Sequence, residues 1–291
     1  MTTRRFLRLA WKNTPYIGVH LAALTALALP FSWGLVALAG GLYLVRMFGV
    51  TASYHRYFAH RTYRTSRPFQ LVLAVLGLLA LQKGPLWWAA HHRRHHRYSD
   101  TPEDVHSPLQ RGFFWAHMGW IMVEEHTRAD LATVKDLARY PELRFLDRHW
   151  YLPTVALGAV LLALGGLPAL VWGIPVSVVA CWHATYTINS LNHMMGRQRY
   201  ATGDGSRNSA ILAVLTLGEG WHNNHHHYMN SVRQGFFWWE YDVTYWLLRL
   251  LAAVGLVWGL RGVPERIKYA HLGGRRPSRA GRDRLPAADT A

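Results

Sequence analysis

Three short runs gather imidazoles: HRYFAH (His55 to His60), HHRRHH (His91 to His96) and HNNHHHY (His222 to Tyr228). In the second run His92, His95 and His96 stand at i, i+3 and i+4, one face of a helix, and His222, His225 and His226 repeat that spacing. His55 and His60 are five apart, which does not align two side chains on a straight α-helix, so a helix ending or bending there is expected. Spacing does not separate His91 from His92, because His91 and His95 are also four apart, and His227 is ambiguous in the same way. Imidazoles presented in register from separate helices can enclose a metal. Neutral imidazole suits Zn, Cu, Fe or Ni, whereas Mg and Ca want oxygen. Eight such histidines exceed what one tetrahedral zinc uses, so two ions are expected.

The elements that must position these runs are apolar. From Tyr16 to Val45, and again from Tyr151 to Gly196, there is no Asp, Glu, Lys or Arg. About 20 apolar residues suffice to cross a bilayer, so the chain reads as an all-α integral membrane protein. Pro30, Ser32 and Gly34 divide the first stretch into spans near 14–31 and 33–50. Gly165, Gly166 and Pro168 divide the second into spans near 149–165 and 169–192. The apolar segment 69–82 is short for a span and reads as a buried or interfacial helix, as does 245–260 with Arg249 in its middle. Residues 1–271 form one membrane domain in this reading, and 272–291 is a basic, disordered tail.

Charge orients the hairpins. The turns near Ser32 and Gly166 carry no Lys or Arg, while the N-terminal arm, residues 56–97 and the chain after Met195 carry many. The positive-inside rule puts both turns outside and both termini in the cytoplasm, which brings all three histidine runs to one cytoplasmic cap. The net charge of +16 reads first as that cytoplasmic marking alone, with added attraction to anionic headgroups or a phosphate-bearing substrate as the sharper alternative; no nucleic-acid-reading module accompanies it. One cysteine, Cys181, excludes an internal disulfide framework and a Cys-rich metal site. No HExxH occurs, which disfavours a zinc protease. A metal transporter would distribute ionisable groups along its spans, whereas these hold only His20 and His183, with Asn189 and His193 near one end.

HxxxxH, HxxHH and HxxHH in this order, separated by apolar hairpins, resemble the membrane fatty-acyl desaturases of the delta-9 stearoyl-CoA type. DTPEDVHSP, GFFWAHMGW (Gly112 to Trp120), NSLNHMMG (Asn189 to Gly196) and GEGWHNNHH (Gly218 to His226) are similar to that family as well. The resemblance implies two iron ions held by His55, His60, His92, His95, His96, His193, His222, His225 and His226, with Asn189 acting through a water. It makes His91 and His227 extras. Asn189 and His193 are four apart, so spacing also allows both to face one site. His106, His117, His126 and His149 read as surface or aromatic-packed histidines, and His20 and His183 as neutral hydrogen-bonded groups between helices.

The implied reaction is oxygen-dependent removal of two hydrogens from a long saturated acyl chain, carried as acyl-CoA or acyl-lipid, to leave a cis double bond near position 9. Acid–base side chains do not break such C–H bonds, so the metal supplies the oxidant and the protein the orientation. Trp87, Trp88, Phe113, Phe114, Trp115 and Trp120 are candidates for the wall of an acyl tunnel. No dinucleotide fingerprint or fused haem domain is present, so a separate electron donor, a ferredoxin or a cytochrome with its reductase, is implied. Resemblance to short bacterial members implies the inner membrane of a bacterial cell. A histidine-box hydroxylase acting on alkanes or fatty acids is the nearest rival.

Overall fold

A computed structural model describes residues 3–270. The basic tail expected from 272 lies outside the described residues. Helix α1 (Thr3–Leu24) ends in a 3-10 turn at Thr25–Ala28, and α2 (Trp33–Phe48) follows after Pro30. Ser32 caps α2 by accepting the Leu35 N–H at 3.2 Å. The reversal falls where Pro30 and Ser32 predict it. The helix before it starts well ahead of residue 14.

Helix α2 continues as a π-helix over Gly49–Ala59, so the helical stretch Trp33–Ala59 enters the first histidine run and ends there, with His60 as its C-cap. The ending falls where it was expected, and the spacing of five before it has a geometric reason. A π-helix bonds residue i to i+5, and the His60 N–H donates to the His55 carbonyl at 3.1 Å. A spacing of five therefore brings the two imidazoles together edge to face, with ring centroids 4.8 Å apart.

A two-residue strand β1 (Arg64–Thr65) leads to α3 (Arg67–Leu78), α4 (Pro85–Tyr98) and α5 (Pro108–His117). Helix α3 buries Gln70, Leu73, Ala74, Gly77 and Leu78 and leaves Leu71 and Val72 exposed, an apolar helix with only one face packed. Helix α4 starts at Pro85, whose missing N–H is no loss in a first turn. The Asp147 carboxylate accepts the next two, Leu86 N–H at 2.9 Å and Trp87 N–H at 3.0 Å. Asp147 comes from α7 (Pro141–Arg148), which follows the one-turn α6 (Lys135–Ala138).

Helix α8 (Leu152–Val171) folds back at Gly166, where φ is +64° and glycine alone is unstrained. The returning arm runs through a π turn (Trp172–Val176) into α9 (Ser177–Asn189) and a last 3-10 turn (Leu191–His193). A Cβ at Gly158 would meet Leu170 at 3.3 Å, and one at Gly173 would meet Leu161 at 2.6 Å, so the two arms lie side by side. Short helices α10 (Ala210–Leu215) and α11 (His222–His227), then α12 (Val243–Ala253), complete the cap, and β2 (Val257–Trp258) pairs antiparallel with β1. Two helical stretches, Trp33–Ala59 and Leu152–His193, are long and apolar enough to cross a membrane.

Candidate metal centre

Helix α11 has only six residues, too few to hold itself. Asn208 accepts the Asn223 and Asn224 N–H groups at 3.0 and 3.2 Å, and Asn223 accepts those of Arg199 and Tyr200 at 2.8 and 2.7 Å. The asparagines between the histidines of the third run are thus buried anchors that aim the imidazoles the other way. Arg93 does the same for α4: its guanidinium forks onto Asp136 at 2.7 and 3.0 Å and takes the carbonyls of Phe58 and Ala59. Arg56, buried between the first and third runs, binds Glu219 and Asp242.

Nine of the expected residues converge in two adjoining groups. His55, His60, His92, His96 and His225 form one, and His95, His193, His222 and His226 the other. In the first, the Nε2 atoms of His60 and His92 are 2.8 Å apart, those of His92 and His96 3.0 Å, His96 and His225 2.9 Å, and His225 and His55 3.0 Å. In the second, His193 and His222 meet Nε2 to Nε2 at 3.0 Å. The His96 and His226 rings, 4.4 Å apart, join the groups.

Sequence reasoning assigned no role to the carboxylates behind these rings. His55 Nδ1 faces Glu219 at 2.5 Å, His95 Nδ1 Asp104 at 3.0 Å, His193 Nδ1 Asp100 at 2.8 Å, and His226 Nδ1 Asp204 at 2.9 Å. Burial alone would raise the Asp104 and Asp204 carboxyls, yet the facing imidazoles hold both well below the usual carboxylate range. Burial first, and neighbouring imidazoles next, push His60, His92, His96, His222 and His225 far below an ordinary histidine. His95 goes the other way: burial would lower it, but Asp104, helped by Asp100 and Asp204, raises it above an ordinary histidine. The scarcity of acids, 16 in the chain, with Glu219, Asp100 and Asp104 flanking the runs, was the available signal.

These residues fit metal ions. A ring whose Nδ1–H is given to a carboxylate presents a bare Nε2 lone pair. Nε2 atoms facing one another at about 3 Å are placed for their lone pairs to share one cation. Imidazole nitrogens about 2.1 Å from one ion and at right angles to each other lie about 3.0 Å apart, the separations found here. His95 Nε2 and His226 Nε2 are also buried with no hydrogen-bond partner.

The remaining residues separate. His91 turns its Nδ1 to the Trp87 carbonyl and stacks on the Trp87 ring, outside both groups. His227 stacks on Tyr200 at 4.0 Å and bonds the Ile267 carbonyl. Asn189, at the end of α9, lines a cavity that His92 lines as well. His106, expected at the surface or among aromatics, is buried 4.2 Å from the His95 ring and also packs on Trp120. It approaches His95 because Asp104 accepts the His106 backbone N–H while holding His95.

The cavity of about 670 Å³ runs beside the first group. Its walls include His92, Asn189, Trp87, Trp88 and Trp120, then Val155, Gly158, Leu162, Leu170 and Ile174 from the hairpin of α8 and α9. Of the aromatics expected to line a tunnel, Phe113, Phe114 and Trp115 do not reach it.

The chain is mostly helical, with two helical stretches long and apolar enough to cross a membrane, an apolar cavity and two groups of converging imidazoles that could hold metal ions. The fatty acid desaturase family model matches residues 28–253, and this chain belongs to that family. It is 40% identical over 250 residues to an sn-1 stearoyl-lipid 9-desaturase of Anabaena variabilis, covering 84% of this chain and 92% of that one. An acyl-CoA 5-desaturase of Anemone leveillei is 39% identical over 256 residues, 86% of this chain and 78% of that protein. A palmitoyl-monogalactosyldiacylglycerol delta-7 desaturase of Arabidopsis thaliana is 39% identical over 245 residues, 82% and 65% respectively.

Proposed function

We propose that the protein introduces a cis double bond, at position 9, into a long saturated acyl chain bound in the apolar cavity. The observation that carries this reading is the cavity itself, which passes from apolar hairpin walls directly to His92 and Asn189. Two iron ions are the proposed cofactor. His55, His60, His92, His96 and His225 would hold one, and His95, His193, His222 and His226 the other, with Asn189 reaching its ion through water. Bound iron would supply the oxidation of unactivated C–H bonds by dioxygen. The protein's own part is to grip and orient. Trp88 bonds Gln82 at 3.3 Å and Gln82 bonds Thr185 at 3.0 Å, fastening three elements of the cavity wall at its polar end. The apolar wall excludes water from the chain and fixes which carbons stand beside His92.

Four spans in two hairpins under a helical cap are the proposed architecture, with residues 1–271 as one domain. Exposed apolar side chains around both hairpins support it, among them Leu21, Leu24, Leu27, Val155, Val160 and Leu164. In this arrangement the termini and the histidines face the cytoplasm of a bacterial cell, and a separate ferredoxin or cytochrome with its reductase supplies electrons. The carrier is acyl-lipid or acyl-CoA; relatives of nearly equal identity are named for each.

The deciding experiment expresses the chain, with a verified redox partner, in cells lacking desaturases, and localises double bonds by mass spectrometry. A new delta-9 monoene that disappears with His225→Ala and persists with His227→Ala is the expected result. Hydroxylated products would make the protein a hydroxylase on the same metal site. No new product would refute both.

A further inference from the structure

Two half-buried lysines belong to the wall of the apolar cavity, Lys12 from α1 and Lys83 from the loop that leads into α4. Lys12 donates to the Val123 carbonyl, and the neighbouring Asn13 amide donates to the Met122 carbonyl at 3.0 Å. These bonds pin α1 to the 3-10 turn Gly119–Met122, which carries Trp120. The Lys83 ammonium lies 5.0 Å from the centroid of the Trp150 ring. Among the described residues neither lysine forms an ion pair, and the Lys83 ammonium donates no hydrogen bond. Burial first, and the Lys83 charge next, push the Lys12 ammonium below its ordinary value, against the pull of Glu124 and Glu125. Burial lowers Lys83 as well, opposed by Asp147, whose Oδ1 is taken up by the Leu86 and Trp87 N–H groups. Two cations thus share one cavity wall with no anion paired to either.

Their level is that of lipid headgroups. Trp11, beside Lys12, is 80% exposed, and Tyr151, beside Trp150, is 44% exposed; such amphipathic rings mark the boundary between headgroups and hydrocarbon. In the proposed architecture α8 enters the hydrocarbon just after Tyr151. The wall residues Pro15 of α1 and Val155 and Leu162 of α8 are themselves exposed, so the cavity is open along these helices, on the side that faces lipid. The reach from the lysines to the histidines is also that of half an acyl chain. Trp87, Trp88, His91 and His92 of α4 line the cavity, and α4 rises about 10 Å from Pro85 to His92 at 1.5 Å per residue. Eight extended carbon–carbon bonds span about 10 Å as well. An acyl ester held where α4 begins therefore sets its ninth carbon beside His92.

We propose that Lys12 and Lys83 clamp the phosphate of a membrane phospholipid whose acyl chain enters the cavity sideways from the bilayer, an inference that rests on the desaturase reading. A phosphodiester brings one negative charge and two unesterified oxygens, one for each ammonium, and relieves the repulsion between them. A galactolipid offers only neutral hydroxyls and leaves both cations unpaired. Coenzyme A carries phosphates too, but arrives from water, which the opening along α1 and α8 does not face. The lysines touch the carrier and not the reacting carbons, so they decide which carrier is used.

The test is native mass spectrometry of the full-length protein with distearoyl phosphatidylglycerol, distearoyl monogalactosyldiacylglycerol and stearoyl-CoA in competition, and it needs no turnover. Phosphatidylglycerol is expected to bind most tightly. Lys12→Gln with Lys83→Gln should weaken it about thirtyfold, the effect of two charges at a membrane surface, while galactolipid binding stays as it was. Lys83→Arg, which keeps the charge, should retain most of the binding. A preference for galactolipid, or unchanged phosphatidylglycerol binding in the double variant, would overturn the phosphate clamp. Displacement of phosphatidylglycerol by stearoyl-CoA would overturn the bilayer as source. If the double variant fails to fold, Lys83→Gln decides, since that ammonium holds no other group. In cells with a verified donor, pulse-labelled stearate should gain its first double bond within intact phosphatidylglycerol, and first appearance in acyl-CoA would again overturn the bilayer source. Phosphate-selective binding without any double bond formed would refute the desaturase reading and uphold the clamp.

Discussion

Carboxylates do for the imidazoles what the imidazoles cannot do for one another. Nine rings crowd together, seven of them at Nε2 separations near 3 Å, and need their other nitrogens fixed; Glu219, Asp100, Asp104 and Asp204 fix four of the nine. Such partners set the tautomer and typically govern metal affinity by about 10- to 100-fold. Asp204→Asn is therefore expected to weaken metal retention within that range while leaving the fold intact, measured by chelator competition and metal analysis. Protonation follows a definite sign. His60, His92, His96, His222 and His225 are held neutral in the fold, while an unfolded chain protonates them near their ordinary value of about 6.5. Below that pH the unfolded state binds more protons, so the metal-free protein loses stability as pH falls, by about 1.4 kcal/mol per pH unit for each ring that stays neutral. Thermal melts of metal-free protein between pH 7 and 5 should show that fall, and a flat profile would contradict the burial of these rings.

At the scale of elements, the π segment is the device that makes a spacing of five useful. Deleting Tyr57 would bring the two histidines of the first run to a spacing of four and shift the register of everything after it. Loss of metal with retained helicity is expected, read by metal analysis beside circular dichroism. The segment is also held tightly from outside. A Cβ at Gly77 would fall 2.2 Å from the Tyr54 ring, and one at Gly49 2.3 Å from the Leu76 carbonyl. Gly77→Val should cost about 1–3 kcal/mol through overpacking, measurable as a lowered melting temperature. Helix α4 depends on a distant residue in the same way, since Asp147 of α7 closes its first turn.

Across the whole molecule, the hairpin of α8 and α9 walls the cavity whose other end is His92 and Asn189. Gly158 lies on that wall, where a Cβ would already stand 3.3 Å from Leu170 and 3.8 Å from Ile174, so a larger side chain would crowd these cavity-lining residues. Gly158→Leu is expected to favour shorter acyl chains while sparing the metal content, read from the product profile of expressing cells. A profile identical to the parent would mean that the acyl chain does not pass α8.

The sequence by itself determined the three histidine runs and their helical spacings, because periodicity places i, i+3 and i+4 on one face; the full set of nine positions was named only through the resemblance to the desaturase family. It also determined the two breaks, at Pro30 and Gly166, since proline and glycine act through their own backbone chemistry. Only the tertiary structure decided between His91 and His92, or between His226 and His227. Neighbours in sequence differ there by which way one helix face turns, and that is set by Trp87, Tyr200 and the anchoring asparagines. Only the structure showed that a five-residue spacing lies on a π-helix, that Asp100 and Asp204 sit behind His193 and His226, and that His20, His183 and His117 stand in file. Each of these depends on contacts between residues distant in the chain, where local pattern carries no information and packing makes the choice.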